Sequence, residues 1–424
     1  MGPPPRYHWL VTIRESIVLW ITLGLIPFIG PSELPRAESR SSTPIRYATV
    51  PMEIRDNRAF VPLRLVGPNG KSKVARFWLD SGGDTVFLSG PLAHELGLQE
   101  SGAAFTGMGD TPSHFVTKPR LSIAGMEIDL ARVQVAASLS ESSRNAFAGV
   151  QAEGFLPATV LRNYDVVFDY PARRFSLVQP GAAVHRGTPV PMLVNPQTGF
   201  ARIEVAIDGK PYGFMLDTGA AYTGVSRSVM DQWIAEHPFW RHSVGAVGSA
   251  NMVGKQFDVT NELLRIPEIK WGPFPLQNVG MVSRPAGIYE KIVSEDMAAP
   301  IVGALSGNVL RQFRLDLDYP DGVAYLLFED TDNSIDLDCA GLIMQINASG
   351  KVVVSGVAQH DGHPEIEGLE SGDILLKVDN RAVTGAPLAT ILERLSGAIG
   401  TEKHLTIQRG DQQLTVSAAV TSHP

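Results

Sequence analysis

The sequence predicts a mainly β protein made of two similar halves and a smaller C-terminal domain. Three observations lead there. The chain of 424 residues holds 41 Gly and 30 Pro against 19% charged residues, the composition of a chain with many turns. Short segments such as FVPLRLVGPNG and FARIEVAIDGK alternate apolar and polar residues and break at Gly, Pro, Asn or Asp, as hairpins do. The same series of elements also occurs twice in the same order, the mark of an internal repeat.

Length and charge bound the rest. A chain of 424 residues suits two to three domains, each able to bury a core without metals or disulfides. A net charge of -8 and the lack of a Lys/Arg cluster with interleaved aromatics argue against a nucleic-acid partner. Cys339 is the only cysteine, which rules out an intrachain disulfide and any multi-cysteine metal site. His360 and His363 form an H-x-x-H spacing inside the polar stretch AQHDGHPEIEG, and there a solvated turn is expected rather than a metal site.

Residues 1–45 read as a targeting segment. Arg6 and Arg14 precede the uncharged run SIVLWITLGLIPFIG, Ser16 to Gly30, which has the length of a signal-peptide core and falls short of the roughly 20 residues of a membrane-spanning helix. The expectation is a signal peptide or an uncleaved membrane anchor, followed by an extended tether. Either implies a protein that is exported, periplasmic or anchored facing outside the cytoplasm, and cytoplasmic protein retaining Met1 would contradict it.

The two repeats span residues 46–180 and 187–330. The first runs from TVPMEIRDNRAFVPLRLVG through LDSGG to GFLP and YDVVFDYP; the second runs from PVPMLVNPQTGFARIEVAIDG through LDTGA to GALS and FRLDLDYP. Val50 precedes Asp80 by 30 positions and Val190 precedes Asp217 by 27, while Gly154 to Asp169 and Gly303 to Asp318 are both 15. The intervals from aspartate to late glycine, 74 and 86, place the insertions mid-repeat, where surface hairpins vary. Helical patterning is brief, in PLAHELGL and SRSVMDQWIAEH, so each half is expected to be a small β barrel with one or two short helices.

Asp80 and Asp217 are the chemical centre of this reading. Apolar residues before each suit a strand entering the core, the glycines Gly82 and Gly219 allow a tight turn, and the hydroxyls of Ser81 and Thr218 can lock it. One buried carboxylate is a liability. Two brought together by a pseudo-two-fold share a proton, because like charges a few Å apart cannot both ionise cheaply. The ionised member then deprotonates a water while the neutral one donates to a carbonyl oxygen, attacking an amide without a metal or other cofactor. The pair titrates as a unit, so neither member is assigned as the base from sequence.

LDSGG and LDTGA, each followed by a G-x-L element and then YDVVFDYP or FRLDLDYP, resemble the bacterial retropepsin-like aspartic proteases over residues 47–178 and 187–329. The resemblance implies two acid-protease-like β-barrel lobes, with Asp80 and Asp217 as the catalytic pair and Ser81, Gly82, Thr218 and Gly219 supporting the active turns. It also puts flap hairpins near Gly107 to His114 and Gly245 to Lys255. The late element, GILG in the family, is Gly154-Phe155-Leu156-Pro157 in one half and Gly303-Ala304-Leu305-Ser306 in the other, with Gly307 one position late. Asp84 adds a further carboxylate beside the first motif only.

Residues 332–424 resemble a PDZ domain, chiefly through GLESGDILLKVDNRAV and the helix-like APLATILERLSG. That resemblance implies a carboxylate-binding loop at Gly341, Leu342, Ile343 and Met344, where a peptide or protein C-terminus adds as an edge strand; the alternative is a PDZ-like domain packed with no free groove. The expected function is an aspartic endopeptidase acting on polypeptides. Its rivals are a non-catalytic peptide-binding scaffold and a site pairing Asp80 with its equivalent in a second chain. The last is disfavoured because one chain holds both halves.

Overall fold

The computed structural model describes residues 46–106, 112–139, 150–251, 259–329, 337–347, 349–360 and 362–424. The expected targeting segment, most of the first flap segment and the end of the second lie outside the described residues. Among the described residues no helix is long and apolar enough to cross a membrane.

The fold is largely β, and its strands fall into four sheets. Alternation in the sequence sets which faces are buried: in Ala201–Ile207, Ala201, Ile203, Val205 and Ile207 point inward and the residues between them are more exposed. Two sheets contain ten strands each and contain the two D-[ST]-G motifs.

In the first, Ser72–Asp80 pairs in parallel with Gly154–Pro157, which pairs antiparallel with Val86–Leu88, which pairs in parallel with Val135–Ser138. In the second, Lys210–Leu216 pairs in parallel with Gly303–Leu305, which pairs antiparallel with Gly224–Ser226, which pairs in parallel with Phe274–Arg284. The wiring around each aspartate is therefore the same. In both sheets the G-x-L strand is buried throughout, and its missing side chain matters: a Cβ on Gly154 or Gly303 would run into Phe77 or Phe214 of the strand leading to the aspartate.

A six-stranded sheet joins residues from both halves, with Asp165–Asp169 and Phe313–Asp318 antiparallel at its centre. The YDVVFDYP and FRLDLDYP segments thus face each other. One apolar core runs beneath these three sheets, through Phe77, Phe168, Phe175, Trp271 and Phe313 among others.

The seven-stranded C-terminal sheet packs its own core against the helix Leu388–Leu395, whose Leu388, Ile391, Leu392 and Leu395 form one buried face. This unit is not detached. Gln359–His360 adds to the second ten-stranded sheet through Val244, and His360 pairs with His363 in an exposed two-strand ribbon, where the sequence suggests a turn.

Candidate active site

The two D-[ST]-G turns interlock. The Ser81 hydroxyl donates to the Leu216 carbonyl at 2.7 Å and accepts from the Thr218 N–H at 2.9 Å. Reciprocally, the Thr218 hydroxyl donates to the Leu79 carbonyl at 3.1 Å and accepts from the Ser81 N–H at 3.1 Å. Each hydroxyl so bonds the strand end and the turn of the opposite half, and all four groups are buried.

The glycines show how near the carboxylates come. A Cβ on Gly82 would lie 2.9 Å from Asp217 Oδ1, and one on Gly219 would collide with Asp80 Oδ1. Each turn glycine is required by the other turn's aspartate. Each carboxylate is also oriented by its own turn: Asp80 Oδ1 accepts from Gly82 N–H at 3.0 Å, and Asp217 Oδ1 accepts from Gly219 N–H at 2.9 Å and Ala220 N–H at 3.1 Å.

The altered G-x-L elements still brace these turns. Ala158 N–H donates to the Gly83 carbonyl at 2.9 Å, Gly307 N–H to the Ala220 carbonyl at 3.0 Å, and Asp217 N–H to the Leu305 carbonyl at 3.0 Å. The displaced glycine has its own reason. A Cβ on Gly307 would overlap the carbonyl oxygen of Asn57, at the tip of a hairpin from the first sheet.

Burial and mutual repulsion set the electrostatics. Asp80, 6% exposed, is pushed up to about 8, first by burial, then by the Asp217 charge and, further off, by Asp84. Asp217 is also raised by burial, but two backbone N–H groups, Arg58 and Arg284 favour its anion. The two carboxyls titrate as a coupled pair, and the first proton lost belongs to the pair. Asp84 is itself raised by burial, with its carboxylate on the Thr85 hydroxyl at 3.0 Å.

Sequence reasoning missed Arg58. It sits just after the turn Asp56–Asn57, both in left-handed conformation (φ 47° and 56°), donates from Nε to the Gly219 carbonyl at 3.2 Å, pairs with Asp56 and lies 5.5 Å from the Trp78 ring centroid. The R-D-N-R string marks such a turn, but nothing local marks its distant partner. Tyr289, raised to about 12 by burial, and Arg284 lie close enough to Asp217 to interact with its charge.

Two apolar patches flank the aspartates. Trp78 and Met215 stand two residues before them on the same strand faces. Trp78 clusters with Phe60, Phe87 and Phe155, and Met215 with Tyr289, Ile301 and Ala304. Trp271, by contrast, is a core residue.

The predicted carboxylate-binding residues are covered. Gly341 accepts from Ala358 N–H at 2.8 Å, and Leu342, Ile343 and Met344 are buried at the start of the strand Leu342–Ile346. Asn251 meets the Met344 main chain with both ends of its amide.

One group among the described residues offers a metal-ligand set. Donor atoms of Asp165, His185 and Asp318 lie within 4.8 Å of one another on the six-stranded sheet, away from the two ten-stranded sheets that bear the aspartate pair. His185 Nε2 is 3.3 Å from Asp318 Oδ2, and Asp165 is raised by burial and then by the Asp318 charge. A divalent cation held by these three side chains would offset the charge of the two carboxylates.

No known protein family and no curated protein matches the chain.

Proposed function

We propose that the chain is a single-chain aspartic endopeptidase of the retropepsin-like type, with lobes at residues 46–180 and 187–330 related by a pseudo-two-fold and a PDZ-type domain after them. The observation that supports this best is the reciprocal packing of Gly82 on Asp217 and Gly219 on Asp80 within a hydroxyl-locked pair of turns. A structural pair of turn aspartates has no need of two carboxylates held face to face at a desolvation cost.

In this reading a water between the carboxylates attacks the peptide carbonyl. The ionised carboxylate takes a proton from the water as the C–O bond forms, and the protonated one gives its proton to the carbonyl oxygen, leaving a neutral tetrahedral diol. Collapse of the diol returns a proton to the amide nitrogen as the C–N bond breaks, so no covalent enzyme intermediate forms. Two backbone N–H groups on Asp217 against one on Asp80 favour Asp217 as the starting base and Asp80 as the starting acid.

The test is digestion of a diverse peptide library by the full-length chain, read by mass spectrometry. Asp80→Asn and Asp217→Asn are each expected to lower kcat/KM by at least about 10²-fold, the scale of general acid–base catalysis. Wild-type cleavage by either variant would sink the dyad. Binding without cleavage by the wild type would favour the scaffold reading.

A further inference from the structure

We propose that Arg58 is a positioning residue of the aspartate pair, held in place by the C-terminal unit, whose peptide groove is filled by this chain's own Gly248–Asn251 segment. It follows that a peptide taking that groove lowers activity. The proposal rests on the endopeptidase and PDZ reading above.

The groove end comes first. Leu342–Ile346 is the last strand of its sheet, and such an edge leaves main-chain donors and acceptors for an added strand. Here Asn251, 4% exposed, donates from Nδ2 to the Met344 carbonyl at 2.9 Å and accepts the Met344 N–H at 3.2 Å. Its amide stands in for one residue of an added strand. Ile343 packs with Ala246, Val247 and Ala250 of the same segment. Gly248 and Ser249 continue to a cavity of about 270 Å³ walled by Leu392 and Glu393 of the C-terminal helix and by Asp56.

The other end is the active turn. Ser249 and Asp56 wall the same cavity, Asp56 pairs with Arg58, and Arg58 Nε donates to the Gly219 carbonyl. Glu393 also holds the same hairpin through Arg55 at 2.6 Å. Arg58 and Asp56 are nearly buried, at 12% and 8% side-chain exposure, so losing a partner leaves an uncompensated charge. The hairpin is thus pinned between the C-terminal unit and the turn that carries Asp217. A ligand for the groove has to expel Asn251 and Ser249, which releases Asp56 and with it Arg58.

Arg58 is one of several charges around the pair. Asp84 faces it from the first motif's loop, Arg284 from a strand end, Tyr289 from the adjoining helix and Tyr170 from the six-stranded sheet. Arg58 favours both anions.

Arg58→Gln in the full-length chain is expected to move both limbs of the pH–rate profile upward and to lower kcat at least about tenfold with little change in KM, as for a small misplacement of reacting groups. Carboxyl titrations followed by NMR of ¹³C-labelled aspartate should move the same way. Arg58→Lys should restore the limbs but not kcat, and Ser249→Ala and Asn251→Ala should each lower kcat about two- to threefold on the same grounds. A hexapeptide library ending in a free valine carboxylate should lower wild-type kcat, and its amidated twin should not. Unmoved titrations in Arg58→Gln, wild-type kcat in both relay variants, or no effect of the free-acid library would overturn the proposal. A wild type that cleaves nothing would instead sink the endopeptidase reading, and the titrations would still decide the role of Arg58.

Discussion

Asp80 shows at the scale of one residue how burial of a carboxyl opposes stability. Its carboxyl titrates near 3.9 in an unfolded chain and at about 8 in the fold, so between those values the folded state binds more protons. Stability contributed by the protonated group is complete below about pH 4 and is lost as the pH rises toward 8. Asp80→Asn removes that loss while keeping the oxygen that accepts from Gly82. The variant should unfold at a temperature higher by a few °C at pH 8, equivalent to about 1 kcal/mol or more, with the gain vanishing below pH 4. Equal shifts at both pH values in thermal scans would contradict the assignment of the proton. Asp80 and Asp217 were legible in the sequence because the D-[ST]-G motif repeats. Arg58 was not, because its meaning comes from the Gly219 carbonyl, 161 positions away.

At the scale of elements, repetition in the sequence became repetition in pairing: Gly154 stands opposite Phe77 and Gly303 opposite Phe214, each three residues before its aspartate. Both G-x-L elements lack the glycine that ends GILG, and the geometry gives a physical account of the glycine that follows one of them. Gly307 sits where the Asn57 hairpin tip presses in, a contact between halves that no local pattern announces. Gly307→Ala should therefore push that hairpin back, costing about 1–3 kcal/mol by overpacking. Because Arg58 lies on the same hairpin, hydrolysis should fall with stability. An alanine variant with wild-type melting temperature would show that the loop has more room than its geometry indicates.

At the scale of the molecule, the C-terminal residues form the expected helix but not an independent unit. The helix APLATILERLSG and the strands around it formed where expected, but the edge strand is buried against Ala246 and Val247, and a strand of this region joins the second large sheet. Such docking depends on complementary surfaces formed by distant segments, which hydrophobic periodicity does not encode. It also means that deleting residues 332–424 would strip the apolar cluster around Tyr222 and Leu263 of its cover and not simply remove a recruiting module.

What unites these scales is the claim that two aspartates share one proton across the junction of the halves. The most direct measurement is the pH–rate profile of peptide hydrolysis by the full-length chain. Peptide hydrolysis should follow a bell, with an acid limb above the ordinary carboxylate range and an alkaline limb near 8 as the coupled pair loses its last proton. A single rising limb, or a rate undiminished well above pH 8, would contradict it.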